Sequence, residues 1–112
     1  LRLRPNQDLA SALETFCRER RIEGARLHGG VGSIVGASFA DGRRVHPFAT
    51  EMALLGGRIA CSDGALSTEV DAALVDLTGE PCQGSLTRGD NPILMTLEVV
   101  LEPTEPDSSG SR

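Results

Sequence analysis

Four turn signals divide most of this chain: Asp41-Gly42, Asp63-Gly64, Thr78-Gly79 and Gly89-Asp90-Asn91-Pro92. Between them lie apolar or alternating runs, from Met52 to Cys61, Leu66 to Leu77, Gln83 to Arg88 and Ile93 to Leu101, with a shorter stretch from Arg44 to Ala49 interrupted at Pro47. Segments of this length bounded by Gly, Pro, Asn and Asp read as strands joined by hairpins. Ahead of them, Ala25 to Phe39 is small and β-branched, with glycines at 29, 30, 32 and 36. Only one stretch has a helical period. From Asp8 to Arg21 the apolar positions Leu9, Ala12, Leu13, Phe16 and Cys17 share a face, leaving Glu14, Arg18, Glu19 and Arg21 for solvent. Asn6 or Asp8 can cap its start, and Gly24 lies just past its end. Leu1 to Arg4 alternates like a half-buried strand and is broken by Pro5 and Asn6. One helix followed by five or six strands predicts an α+β fold: an antiparallel-dominated mixed sheet with the one main helix packed on one face.

The 112 residues make one domain, expected over 1–102, followed by a tail, 103–112, that has no apolar side chain to bury and is expected to be disordered. Aromatic residues are 3% of the chain and there is no Trp or Tyr, so the core must be aliphatic and thin. A core of that kind gains stability by assembling. The net charge is −5, from 16 acids against 11 bases, and every base is Arg. A free-standing nucleic-acid binder carries a basic patch and stacking aromatics. Here the densest basic cluster, Arg18, Arg20 and Arg21, closes a helix, where the helix dipole alone favours it. Cys17, Cys61 and Cys82 are odd in number and scattered, a poor disulfide framework and a poor zinc site, and read as small residues in a reducing compartment. No apolar run of membrane-spanning length and no signal peptide is visible, so the protein is expected in the cytoplasm with no membrane partner. The chain opens inside an apparent strand, which leaves room for residues upstream of Leu1.

The chemistry-bearing residues gather around one hairpin. Glu69 and Asp71 are two apart on a strand and point to one face, while Val70, Ala72 and Leu74 point to the other. A turn at Thr78-Gly79 brings Ser85 opposite Asp71. Two acids and a hydroxyl that converge can bind a hard cation or hydrogen-bond a polar ligand. The commoner explanation of such acids is a solvated face. In a closed interface they need an Arg, a proton or a metal to neutralise them, and Arg58 and Arg88 are the candidate partners. Two apparent motifs do not hold. Gly30-Val-Gly32-Ser-Ile-Val-Gly36 is close to a dinucleotide fingerprint, but Asp41-Gly42 turns the chain before the required helix could form, so these glycines serve close strand packing. His28-Gly29-Gly30 has the look of an esterase oxyanion loop but has no nucleophile elbow to serve. His28 and His46 have no third ligand at useful spacing.

The order of motifs resembles the plant-and-prokaryote-conserved (PPC) domain, as found in bacterial members. The resemblance rests on Asp8-Leu9 at the helix start, Val31-Gly32-Ser33, then Glu51, Leu55, Gly57 and Ile59, and finally Glu98 to Leu101. It covers the chain to about Pro103 and implies a compact sheet-and-helix domain that assembles as a trimer. Many bacterial members carry His-x-His on the long strand and a further His in the next one, a metal-ligand trio. Those places here hold Glu69, Asp71 and Ser85. The trio is not carried over, and Glu69 and Asp71 remain only as a weak possibility for a metal. Plant relatives couple the domain to a separate AT-hook that touches DNA, and no Arg-Gly-Arg hook is present in this sequence.

The resulting expectation is a trimeric small-ligand-binding or regulatory module, linked to DNA only indirectly. Its ligand-binding candidates are Glu51, Arg58, Glu69, Asp71, Ser85 and Arg88, with no catalytic residue and no cofactor assigned. Glu51 and Glu98, beside or inside apolar strands, match family motifs, though an acid on the outer face of a strand is the commoner explanation. The alternative is a metal- or carboxylate-dependent enzyme with its site at the subunit interface.

Overall fold

The computed structural model describes residues 1–45, 50–75 and 79–105, without the side chain of Thr50. The chain runs β1 (Arg2–Leu3), α1 (Leu9–Glu19), β2 (Gly24–Ile34), β3 (Ala37–Ser38), β4 (Arg44–Val45), β5 (Thr50–Ser62), β6 (Ala65–Val75), β7 (Pro81–Ser85) and β8 (Ile93–Pro103). Six strands form one sheet in the order β1-β8-β2-β5-β6-β7, and β3 and β4 form a separate short ribbon. Every described pairing is antiparallel, so the expected mixed sheet is corrected to an antiparallel one. The reason is connectivity: tight turns return β5, β6 and β7 antiparallel, and although α1 joins the parallel strands β1 and β2, β8 lies between them.

Helix α1 forms where the periodicity places it. Asp8 caps it by accepting the Ser11 N–H at 3.1 Å. Its end differs from expectation. The Ile22 N–H reaches back to the Cys17 carbonyl (2.8 Å) and the Arg21 N–H to that of Arg18 (3.2 Å), with Arg21 in left-handed conformation at φ 57°. That is a Schellman closure with arginine where glycine is usual. Gly24 instead opens β2, where a Cβ would stand 2.9 Å from Thr104 Oγ1. Leu9, Leu13 and Cys17 are buried against the sheet, Phe16 is half-buried with Arg20 stacked 4.1 Å from its ring centre, and Phe39 is buried in the same core.

The two central strands each carry one extra residue. β2 shifts register against β8 between Leu27 and Gly29, and β5 shifts against β6 between Leu54 and Gly56. Leu27 faces Gly57 and Gly30 faces Leu54, so the two bulges lie side by side and β2 stays in register with β5. Each bulge reverses facing. Leu27 and Ile34 are both buried despite opposite parity, as are Leu54 and Ile59. Gly30 and Gly32 let β8 approach, since a Cβ on Gly30 would lie 2.6 Å from the Glu98 carbonyl oxygen and one on Gly32 2.5 Å from Leu97 Cα. The Asp63-Gly64 turn has both residues at positive φ, 52° and 80°, the geometry that matches strand twist in a two-residue hairpin.

β8 runs through Pro103, and the Thr104 N–H donates to the Gly24 carbonyl (2.9 Å). Residues 106–112 of the expected tail, the remainder of the 44–49 strand with His46, and Thr78 of the expected turn lie outside the described residues. Among the described residues no helix is long and apolar enough to cross a membrane.

Candidate functional site

The face of the sheet turned away from α1 carries the candidates. β6 alternates as expected: Val70, Ala72 and Leu74 are buried, and Glu69 and Asp71 are exposed on the opposite side. Register sets Ser85 directly opposite Asp71, and the Ser85 hydroxyl donates to Asp71 Oδ1 at 2.6 Å. Register also sets Arg58 opposite Glu69, and Arg58 Nε donates to Glu69 Oε1 at 3.3 Å. With Arg26 these four residues line an open groove of about 560 Å³, floored by Gly57. That size falls within the usual range for small-molecule sites, about 300–1,000 Å³.

Glu51 and Arg88 are elsewhere. Glu51 faces Ser33 near the other end of β5 and borders a different, shallower hollow. Arg88 lies on the helix side, where its Nε (3.2 Å) and Nη2 donate to the two oxygens of Glu14. It therefore does not neutralise Glu69 or Asp71. Glu14 is itself a correction, since the helical period assigned it to solvent and it is 1% exposed. The cause is tertiary: Glu14 shares a side of α1 with Ala10 and Cys17, and β6 brings the Thr68 hydroxyl to within 2.7 Å of it. The Glu14 carboxylate in turn holds the Arg88 guanidinium above its usual basicity.

Arg88 is aimed by a buried hub at Asn91, in a segment that reads in the sequence as a plain turn. Asn91 is 1% exposed; its Oδ1 accepts the Ser38 N–H (2.8 Å), its Nδ2 donates to the Thr87 (3.0 Å) and Gly89 (2.9 Å) carbonyls, and its own N–H donates to Asp8 Oδ1 (3.0 Å). A fully bonded buried amide of this kind fixes the loop that carries Arg88.

Other polar groups are accounted for locally. His28 Nε2 and Glu102 Oε1 are 2.8 Å apart, and Arg2 bonds Glu98 at 2.9 Å. Cys17 is buried, Cys82 half-buried and Cys61 exposed. Burial pushes the Cys17 thiol above its usual range, and the nearby Glu14 carboxylate adds to the shift, so it is a poor nucleophile. Among the described residues no three His, Cys, Asp or Glu side chains gather as a metal site. Glu69 and Asp71 do not reproduce the metal trio of the resemblance, because the third place holds a serine hydroxyl and no third imidazole, thiolate or carboxylate joins them among the described residues.

One helix among the described residues, an antiparallel sheet and a groove on the open face define a small α+β domain. The chain belongs to the Plants and Prokaryotes Conserved (PCC) domain family, whose sequence model matches residues 1–105. No curated protein matches it in sequence. Solved structures share its fold. The "Putative DNA-binding protein" of Ralstonia eutropha JMP134 has a TM-score of 0.78 at 20% identity, covering 95% of this chain and 77% of its own. A plant- and prokaryote-conserved (PPC) protein of Pyrococcus horikoshii gives 0.73 at 19%, with coverages of 95% and 78%. A metal-containing protein of Archaeoglobus fulgidus gives 0.72 at 21%, with coverages of 92% and 76%.

Proposed function

We propose that this chain is a trimeric small-ligand-binding or regulatory module whose site is the groove of Arg58, Glu69, Asp71 and Ser85. The observation that carries the reading is convergence: four polar side chains from three strands meet over a glycine floor, and none of them pairs a nucleophile with a strong base. Assembly is supported by the same face. Val31, Val75 and Val100 are 66%, 49% and 63% exposed on it, and large exposed apolar side chains on one surface favour association. Contact with DNA is proposed only through another segment or a partner, because the chain is acidic and poor in aromatics. The DNA-binding name of the Ralstonia relative is what keeps that link in view.

The second reading, a metal- or carboxylate-dependent enzyme at a subunit interface, draws on the Ser85–Asp71 hydrogen bond and on the metal-containing relative from Archaeoglobus fulgidus. One measurement separates the two. Native mass spectrometry at micromolar concentration should give a trimer, and denaturation of the same ions should release any retained small molecule. Monomer alone would sink the trimeric reading. A stoichiometric metal that disappears in Asp71→Ala would favour the enzyme.

A further inference from the structure

The groove contains a charge arrangement that folding alone does not explain. Across four strands the register aligns Glu102, Arg26, Arg58 and Glu69 in one row. Two guanidinium-bearing residues thus stand directly opposite each other in an antiparallel pair, a placement that is destabilising by itself. The flanking acids do little to relieve it. Glu102 is engaged by His28, and Glu69 takes only the Nε of Arg58 at a long 3.3 Å. Of the five N–H donors on each guanidinium, Arg58 uses one, and Arg26 has no hydrogen-bond or ion-pair partner among the described residues. On the other side of the groove Ser85 fixes the Asp71 carboxylate by donating to Oδ1, which leaves Oδ2 to accept.

Resting on the reading of this groove as a ligand site, we propose that it binds a small zwitterion carrying a carboxylate and an ammonium group, as a free amino acid does. The carboxylate bridges the unused donors of Arg26 and Arg58, and the ammonium sits on Asp71. Charge balance selects this class. The groove presents two cations and two carboxylates, so a plain anion meets Glu69 and Asp71, and a plain cation meets the two arginines. A ligand with both ends satisfies both sides. Spacing agrees: Arg26, Arg58 and the acids lie on three successive strands about 4.8 Å apart, so a carboxylate between the two arginines leaves the ammonium of a short amino acid within reach of β6. Charge-assisted and bidentate bonds to guanidinium supply the strongest contacts such a molecule can make.

The test is a titration of the intact, nitrogen-15-labelled chain, following the arginine Nε–H signals. Glycine and β-alanine are the zwitterions, acetate and inorganic phosphate the anions, and methylamine the cation. One or both zwitterions should shift the Arg26 and Arg58 signals saturably. Acetate, phosphate and methylamine should bind about tenfold or more weaker, since each lacks one charge-assisted contact. Arg26→Gln, an exposed change that relieves the facing like charges and so should not lower stability, should abolish the response. Asp71→Asn should bring the zwitterions down to the affinity of acetate. The proposal fails if acetate or phosphate binds as tightly as the zwitterions, if neither zwitterion moves the arginine signals, or if Arg26→Gln binds unchanged. A trimer that ignores both zwitterions, or that releases a purely anionic molecule on denaturation, removes this inference and leaves the ligand-module reading intact. Monomer alone removes that parent reading.

Discussion

Gly57→Ala probes the floor of the groove and the central sheet together. A Cβ at position 57 would stand 3.1 Å from both the Glu69 carbonyl carbon and Val70 Cα, and nearer still to the Glu69 carbonyl oxygen. All three are backbone atoms of β6, which have no rotamer to change. The two strands would have to part by on the order of 1 Å out of a spacing of about 4.8 Å. One ladder hydrogen bond would lengthen past usefulness, about 1 kcal/mol net, on top of about 1–3 kcal/mol for overpacking. The total of about 2–4 kcal/mol is a large share of the stability of a small domain. It corresponds to a fall in melting temperature on the order of 10–25 °C. Because Arg58 and Glu69 flank the strained point, ligand binding should fall with it. Gly89→Ala is the control: nothing lies within 4 Å of a Cβ there, and the change should stay within about 0.5 kcal/mol. Thermal melts by circular dichroism read both variants. A Gly57→Ala protein that melts within a few degrees of wild type would refute the steric account.

Two further predictions concern the helix side of the sheet. Arg88→Met strands the buried Glu14 carboxylate, whereas Glu14→Gln leaves Arg88 free to reach water, so the melting temperature should drop more for Arg88→Met. Equal or reversed drops would mean that the pair is not an ion pair in solution. Cys17 has a raised pKa in the folded state, so its contribution to stability is fully present below the ordinary thiol range and is lost as pH rises through the raised value. As pH rises above the ordinary thiol range, about 8.5, the urea midpoint of wild type should therefore fall more steeply than that of Cys17→Ala, and parallel curves would contradict the assigned burial.

The hairpin half of the molecule was legible because period-two alternation fixes a face and a short turn fixes a register. Asp71, Ser85 and Glu69 follow from those two rules alone. Arg58 follows from the next hairpin, Asp63-Gly64. Arg26 was not legible. It sits in a segment that reads as small and apolar, and its position beside Arg58 depends on a register between strands far apart in sequence. Glu14 was misread because a helical wheel knows nothing of what the neighbouring strand presents, here Thr68 with Arg88 arriving from a distant loop. Arg88 was misplaced for the same reason, since the Asn91 hub that aims it shows in the sequence only as a turn. The bulges left no mark beyond extra glycines, and they decide which of Val31, Ile34, Leu55 and Ile59 are hidden.

The side-by-side bulges constrain how this chain can change length. Removing the extra residue from β2, at His28 or Gly29, would restore plain alternation, so that Leu27 and Ile34 share parity and both stay inward. Trimming β5 at Leu55 would likewise keep Leu54 and Ile59 inward. Either deletion alone would slip β2 against β5 by one residue beyond the bulge, whereas removing one residue from each would keep both their alignment and their facing. A deletion elsewhere in either strand would instead invert every side chain beyond it. Tolerated indels in relatives should therefore fall at these two heights, as compensating pairs.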